Sequence, residues 1–276
     1  MLDGNFRHRI MLGIQSVNFA ARLKDGCSQD GIVDVNSVTK VITRKQLRTW
    51  LAQTYGDKIK VKAVIFDMDG VMTDSEYLIN EAAIAGLREY GIEPEPDDFI
   101  PFLGMGEDHY IGGVARKYGL TYVPEMKARV YEIYFGLISG RLAAFPGVHD
   151  LLEQLKAQKV LLAVGSCADR IKIEANLEAI EVEPAGFHTI IAGDEVQNMK
   201  PAPDIYLAAA EKLGVAPKCC CVIEDSINGI RAAKAAGMRC VAVAQSFAAS
   251  ELQAAAPDCI RPGVSSISLA DLGLKE

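Results

Sequence analysis

The chain has 276 residues and a formal net charge of −7, with 50% hydrophobic and 24% charged residues. This is an ordinary globular composition, which excludes disorder as the main state. No uninterrupted run of about 18 apolar residues occurs, so no membrane span is expected. The acidic balance disfavours a nucleic-acid-binding protein, because such proteins need a basic face.

Residues 1–60 differ in character from the rest of the chain and are expected to form an N-terminal extension. Their scattered arginines loosely fit an organelle transit peptide, whereas their aspartates count against that interpretation. A cytoplasmic and a plastid location therefore both stay open. Within the extension, residues 43–55 have the pattern of one amphipathic helix, with Leu47, Trp50 and Leu51 in its apolar stripe.

From residue 61 onward, short apolar runs alternate with helical patterns. The predicted strands lie at residues 61–66, 160–164, 189–191, 220–223 and 239–243. The helices predicted between them lie at residues 148–158, 170–179, 203–213 and 226–236. Such alternation predicts an α/β core of the Rossmann-like, three-layer kind, in which a parallel sheet carries helices on both faces.

Residues 77–143 interrupt this alternation. They carry three helical patterns, at residues 78–90, 106–118 and 124–138, and little strand signal. A helical block of this length between the first and second strands predicts an inserted, all-helical cap domain. Residues 61–76 and 144–276 would then form the core.

The residues that follow the predicted strands are mostly charged or polar: Asp67, Asp69, Ser166, Asp194, Lys200, Glu224 and Asp225. In open α/β sheets, ligands bind beyond the carboxyl ends of the strands, so these side chains are expected to gather at one edge. Carboxylates gathered in this way repel each other unless a cation lies among them. Hard oxygen ligands suit Mg²⁺, which also accepts phosphate and water as ligands.

Four segments, FDMDGVMTDSE, AVGSCADR, NMKPAPDIY and VIEDSINGI, resemble in order and spacing the four motifs of the haloacid-dehalogenase-like (HAD) superfamily. Within that superfamily, the chain most resembles the β-phosphoglucomutase-like phosphatases, which also have a helical cap after the first motif. The cap segment LGMGEDHYIGGVA and the later ADRIKIEANL also resemble the HAD domain of a plant chloroplast protein. The resemblance implies a HAD-family phosphoric monoester hydrolase. Its activity would be Mg²⁺-dependent hydrolysis of a small, sugar-phosphate-like phosphomonoester through an aspartyl-phosphate.

The resemblance also implies a role for each motif residue. Asp67 would be the nucleophile, and Asp69 would protonate the leaving oxygen and then activate water. Ser166 would hydrogen-bond the phosphate oxygens, and Lys200 would offset their charge and position Asp67. Four residues would hold Mg²⁺: Asp67, Asp69 through its backbone carbonyl, Glu224 and Asp225.

Five further residues are expected to contact the substrate: Gly70, Gly104, Glu107, His109 and Arg170. Gly70 permits a tight turn directly after Asp69. The three cap residues lie in a segment that would close over the site, and Arg170 follows the second motif. The implied partner is a small phosphorylated metabolite.

Two other functions stay open at this point. One is a hexose-phosphate mutase of the β-phosphoglucomutase kind, whose relatives use a cap arginine soon after the cap glycine. This sequence has Glu107 where that arginine would fall, which favours a phosphatase, although Arg116 or Lys117 is a possible substitute. The other is a regulatory or interaction module on a HAD scaffold, with residues 43–55 as its docking helix.

Overall fold

The computed structural model describes residues 60–275. The helix predicted at residues 43–55 and the possible targeting segment lie outside this range. In the described part, six strands form one parallel sheet: β1 (Ala63–Phe66), β2 (Leu161–Gly165), β3 (Thr189–Ile191), β4 (Cys220–Glu224), β5 (Arg239–Val243) and β6 (Cys259–Arg261). Their spatial order is β3-β2-β1-β4-β5-β6, so the first strand lies in the middle.

The central strand β1 is apolar throughout and fully buried, as expected when both faces of a parallel sheet are covered. Val64 and Phe66 belong to one core cluster, and Ala63 and Ile65 belong to the other. This alternation places one hydrophobic core on each side of the sheet. The predicted α/β, three-layer class is therefore confirmed.

The second half of the chain contains five α-helices: α4 (Val148–Ala157), α5 (Arg170–Ala179), α6 (Asp204–Lys212), α7 (Ile227–Ala235) and α8 (Ala249–Leu252). Their apolar stripes supply the outer layers of the two cores. Ile173 and Leu177 of α5 belong to one cluster, and Ile205 of α6 and Ile230 of α7 belong to the other. No helix within residues 60–275 is long and apolar enough to cross a membrane.

Three helices lie between β1 and β2: α1 (Glu76–Arg88), α2 (Glu107–Lys117) and α3 (Pro124–Ile138). They form the predicted helical insertion, which is called the cap below. Helices α1 and α3 approach closely at Gly86, where an added Cβ would lie 2.8 Å from Val130 Cγ2. The boundaries of the cap at residues 77 and 143 stay a prediction.

Helix α8 was not predicted from the sequence, and neither were one 3₁₀ helix and one edge strand. The segment Pro96–Phe102 forms a 3₁₀ helix between α1 and α2, although its two prolines are typical of a loop. Strand β6 pairs with β5 at the edge of the sheet, with Cys259 opposite Val241. It has three half-buried residues, so its apolar pattern is too short to indicate a strand.

Candidate active site

The chain coils tightly after β1, and this coil aims two carboxylates at one cleft. The backbone nitrogen of Asp67 donates to Ile223 O on β4 at 3.0 Å, which holds Asp67 at the sheet edge. The backbone nitrogens of three successive residues, Val71 to Thr73, then all donate hydrogen bonds to Met68 O. Gly70 adopts φ +81°, and an added Cβ there would lie 1.9 Å from Asp225 Oδ2. Only glycine combines this backbone conformation with this close approach.

The cleft lies between the strand ends and the cap and measures about 710 Å³ with its open mouth included. It brings together eight of the residues singled out in the sequence: Asp67, Asp69, Gly104, Glu107, Ser166, Lys200, Glu224 and Asp225. They come from four strand ends and from the cap. Apolar side chains, including Phe102 of the cap and Phe247 of the core, complete the walls.

One buried ammonium joins two of these carboxylates. Lys200 Nζ donates to Asp67 Oδ1 and, at 2.7 Å, to Glu224 Oε1. Burial lowers the pKa of Lys200, but the charges of Asp67 and Glu224 outweigh burial and hold it well above its usual value. Burial raises the pKa of Asp67 to about 7, against the opposing charge of Lys200. Lys200 is thus a fixed positive charge beside Asp67.

Glu224 is held on both oxygens. Its Oε1 accepts from Lys200 and from the hydroxyl of Tyr206 at 3.0 Å. Its Oε2 accepts from the nitrogens of Asp225 and Ser226 and from the Ser226 hydroxyl, at 2.8–2.9 Å. Burial raises the pKa of Glu224, but Lys200 and these hydrogen bonds lower it by more. The pKa of Glu224 therefore lies below its usual value. Glu224 is therefore an ionised anchor for Lys200.

Three carboxylates form a candidate cation site. Asp67, Glu224 and Asp225 are buried, and each offers an oxygen within 4.8 Å of the others. Burial, followed by the charges of Glu224 and Asp67, raises the pKa of Asp225 well above its usual value. One lysine does not balance three carboxylates, so a divalent cation would relieve the remaining repulsion. An all-oxygen donor set of this kind fits Mg²⁺.

Ser166 follows β2 and is 2% exposed. Its backbone nitrogen donates to Ile191 O at 3.1 Å, and its hydroxyl oxygen accepts from the nitrogen of Ala168 at 3.1 Å. The hydroxyl proton remains available to an oxygen in the cleft. The side chain is therefore oriented as a hydrogen-bond donor for an anion at the end of β2.

Asp69 is held by three donors, none of which was predicted from the sequence. Its Oδ1 accepts from the Ser75 hydroxyl, from Lys172 Nζ at 3.0 Å and from Asn176 Nδ2 at 3.4 Å. Lys172 is 3% exposed and also lies 2.9 Å from Glu107 Oε1 of the cap. The available sequence signal was the spacing of Lys172 and Asn176, which places both on one face of a helix.

Three residues expected to contact the substrate do not line the described cleft. Gly70 lies behind it, where its carbonyl accepts from Gln245 Nε2 at 2.8 Å. His109 is exposed on the cap. Arg170 is held by Glu195, by Glu174 and by the carbonyl of Ile190. These contacts turn the guanidinium toward the end of β3.

Asp194 is also absent from the lining of the described cleft. It lies at the carboxyl end of β3, and its Oδ1 accepts from the backbone nitrogen of Arg170 at 3.3 Å. Asp194 therefore binds the first residue of α5, unlike the polar residues at the other strand ends, which line the cleft.

Residues 61–237 match the haloacid dehalogenase-like hydrolase family. The chain belongs to this family. The HAD resemblance noted in the motifs is thereby confirmed.

Three known proteins illustrate the similarity. The chain is 43% identical over 217 residues to the Arabidopsis thaliana protein SUPPRESSOR OF QUENCHING 1, chloroplastic. The match covers 77% of this chain but only 21% of that protein, so the chain spans about a fifth of its length. The chain is also 35% identical over 188 residues to a phosphorylated carbohydrates phosphatase of Thermotoga maritima, covering 64% and 82% of the two chains. Among solved structures, CbbY from Rhodobacter sphaeroides in complex with phosphate superimposes with a TM-score of 0.71 at 29% identity, covering 78% of this chain and all of CbbY.

Proposed function

We propose that the chain is a Mg²⁺-dependent phosphatase that hydrolyses a small, sugar-phosphate-like phosphomonoester through an aspartyl-phosphate on Asp67. The observation that supports this most strongly is the geometry around Asp67. One of its oxygens is held by Lys200, and Asp69 projects into the same cleft two residues later. A nucleophile, a fixed positive charge and a second carboxylate are the components that phosphoryl transfer requires.

In the proposed reaction, Asp67 attacks the phosphorus atom and the bond to the ester oxygen breaks. Lys200 and Ser166 bind the phosphoryl oxygens, whose charge would otherwise repel the carboxylate. A bound Mg²⁺ ion would neutralise those oxygens further. The residues that would hold it are Asp67, Asp69 through its backbone carbonyl, Glu224 and Asp225. Lys200 keeps one oxygen of Asp67 fixed, so that the other oxygen faces the phosphorus.

Asp69 handles the protons in both halves of the reaction. Its carboxylic acid gives a proton to the departing ester oxygen, which leaves as an alcohol. The resulting carboxylate then takes a proton from the water that attacks the phosphoryl group on Asp67, so that free phosphate is released and both aspartates are restored. All three donors to Asp69 bind Oδ1, which leaves Oδ2 as the oxygen that carries the proton.

The substrate class is proposed from the cleft and from the relatives. The charged and polar residues that line the cleft, among them Lys200 and Ser166, suit one phosphoryl group. The Thermotoga maritima relative is named a phosphorylated carbohydrates phosphatase. A hydroxylated, phosphorylated metabolite is therefore the substrate class that we propose for this chain.

A plastid location belongs to the same proposal. The Arabidopsis thaliana relative is named a chloroplastic protein, which favours the plastid over the cytoplasm. A fluorescent fusion of the full chain that accumulates outside plastids in leaf cells would contradict this part.

The experiment that tests the activity is phosphate release from a panel of sugar phosphates and p-nitrophenyl phosphate, with and without Mg²⁺. We expect Mg²⁺-dependent turnover that Asp67→Asn reduces at least 1,000-fold, because the amide is not a nucleophile. Asp150→Asn, which alters an exposed aspartate on α4, is the matched control and should retain full activity. A folded wild-type protein that releases no phosphate from any ester contradicts the proposal and leaves a regulatory module as the better interpretation.

A second assay separates the phosphatase from the mutase. With β-glucose 1-phosphate and a hexose bisphosphate activator, we expect free phosphate as the product. The cap segment near Gly104 carries the acid Glu107, and this acid is already paired with Lys172. Accumulation of glucose 6-phosphate in place of free phosphate would show a mutase.

A further inference from the structure

We propose that Lys172 is a positioning residue for Asp69, and that the cap fixes its position through Glu107 and, in parallel, through Tyr134 and Asn176. This inference rests on the proposed function, because it concerns the proton donor of that reaction. Lys172 lies outside the four HAD motifs and does not carry a reacting atom. Its effect is to hold Asp69 in one orientation.

The first chain of contacts runs through the Lys172 ammonium. Nζ lies 3.0 Å from Asp69 Oδ1 in the core and 2.9 Å from Glu107 Oε1 at the start of α2 in the cap. All three side chains line the cleft, and Lys172 and Glu107 are 3% and 6% exposed. An ammonium this deeply buried stays charged because two carboxylates face it. A single cation therefore joins the cap to the proton donor.

The second chain of contacts is uncharged and ends at the same oxygen. The hydroxyl of Tyr134, on α3 of the cap, donates to Asn176 Oδ1 at 2.6 Å. Asn176 Nδ2 in turn donates to Asp69 Oδ1 at 3.4 Å. Asn176 follows Lys172 by one helical turn on α5, and the Lys172 ammonium lies 5.8 Å from the centre of the Tyr134 ring. One face of α5 thus connects two cap helices with Asp69.

The geometry has a consequence for when Asp69 is ready to act. Glu107 and Tyr134 belong to the cap, whereas Lys172, Asn176 and Asp69 belong to the core. The cap contacts that hold Lys172 and Asn176 in place exist only when the cap packs on the core as it does here. The Oε2 atom of Glu107 is buried without a hydrogen-bond partner within the described residues, so this carboxylate depends on Lys172 to remain in place. A buried acceptor without a partner carries a desolvation cost, which the pairing of Oε1 with Lys172 offsets.

The test uses two esters that differ in their need for a proton donor. Glycerol 3-phosphate releases an alkoxide unless the leaving oxygen is protonated, whereas p-nitrophenyl phosphate releases a stable phenolate. The quantity to compare is kcat/KM, since it reports the steps up to the departure of the alcohol. We expect Lys172→Met to reduce kcat/KM about 30–100-fold for glycerol 3-phosphate and less than about threefold for p-nitrophenyl phosphate, in line with the usual contribution of general-acid catalysis.

The cap-side variants test the connection itself. Glu107→Gln and Tyr134→Phe keep side-chain size, and each is expected to reduce the glycerol 3-phosphate value about three- to tenfold more than the p-nitrophenyl phosphate value. The double variant Lys172→Met with Glu107→Gln should be no worse than Lys172→Met alone, because both act through one ammonium. Should Lys172→Met fail to fold, Glu107→Gln and Tyr134→Phe decide the matter by the same comparison.

Lys127→Met is the matched control. Lys127 on α3 of the cap pairs at 2.8 Å with Asp169 of the core and with Asp108, so its loss removes a cap–core ion pair that does not touch Asp69. We expect this variant to affect both esters equally. Equal losses on both esters in the Lys172, Glu107 and Tyr134 variants would overturn the inference while leaving the phosphatase intact. A wild-type protein that hydrolyses neither ester would instead contradict the proposed function.

Discussion

The buried ammonium of Lys200 lies 2.7 Å from Glu224 Oε1 and also donates to Asp67 Oδ1, so one cation joins the ends of the adjacent strands β1 and β4. Parallel strands in register end at the same edge, which brings the two carboxylates together before any ligand binds. Their repulsion is the physical reason for a lysine at this point. In the proposed reaction, the same lysine also binds the phosphoryl group.

The Lys200→Met variant tests this arrangement. We expect kcat/KM for phosphate esters to fall about 100–1,000-fold, because a fixed charge at the transferring group is lost. We also expect the free energy of unfolding to fall by about 3–5 kcal/mol, since the buried carboxylates of Asp67 and Glu224 lose their partner. Urea unfolding and steady-state kinetics measure the two effects. Lys212→Met, at a lysine whose side chain is 54% exposed, is the control and should change neither quantity much.

The Gly70→Ala variant tests the close approach between the first motif and the fourth. An alanine Cβ would collide with Asp225 Oδ2, so we expect the Mg²⁺ concentration for half-maximal activity to rise at least about tenfold. Gly119 adopts the same φ of +81° but has no atom within 4 Å of an added Cβ. Gly119→Ala therefore measures the backbone strain alone. Equal effects of the two variants on Mg²⁺ dependence would contradict a specific role for Gly70.

Removal of Mg²⁺ should change stability as well as activity. Asp67, Glu224 and Asp225 repel each other when no divalent cation lies among them, so saturating Mg²⁺ is expected to raise the melting temperature by about 5 °C or more. Asp225→Asn removes one of the three charges. This variant should melt above the wild type in EDTA and should gain little from Mg²⁺. A melting temperature that is insensitive to Mg²⁺ in both proteins would show that these carboxylates do not form a cation site.

The sequence was sufficient to place the site residues that follow strands. Asp67, Ser166 and Lys200 come directly after a β-strand or in the loop beyond it, and Glu224 is the last residue of β4. The parallel topology brings such positions to one edge without further information. Their spacing also matched a known set of motifs. The fold class and the charged floor of the cleft could therefore be predicted together.

Lys172 could not be predicted in this way, because its importance arises only from tertiary packing. In the sequence it is one lysine on an ordinary helix, where a solvent-exposed side chain is the usual outcome. The approach of α2 brings Glu107 to it and buries both. Arg170 shows the reverse case. Its position after the second motif predicted a contact with the substrate. In the structure its guanidinium instead pairs with Glu195 and Glu174, away from the lining of the cleft.

The end of the chain offers a test of pH dependence away from the cleft. Arg261 on the edge strand β6 pairs with Asp271, whose carboxylate also accepts from the nitrogen and hydroxyl of Ser268 at 2.9 and 2.8 Å. Burial raises the pKa of Asp271, but these hydrogen bonds outweigh it and bring the pKa down to about 2. The carboxylate is therefore more acidic in the folded chain than in the unfolded one.

The sign of the effect follows from that order. A carboxyl whose pKa is lower in the folded state stabilises the fold at pH values above its ordinary pKa near 4, and the stabilisation is lost as pH falls toward 2. With allowance for solvent screening at Arg261, we expect Asp271→Asn to cost about 1–2 kcal/mol at pH 6 and about half as much at pH 3. Urea unfolding of wild type and variant at the two pH values measures the difference. A gap that is equal at pH 6 and pH 3, or that widens at pH 3, would show that the ionised form of Asp271 does not stabilise the end of the chain.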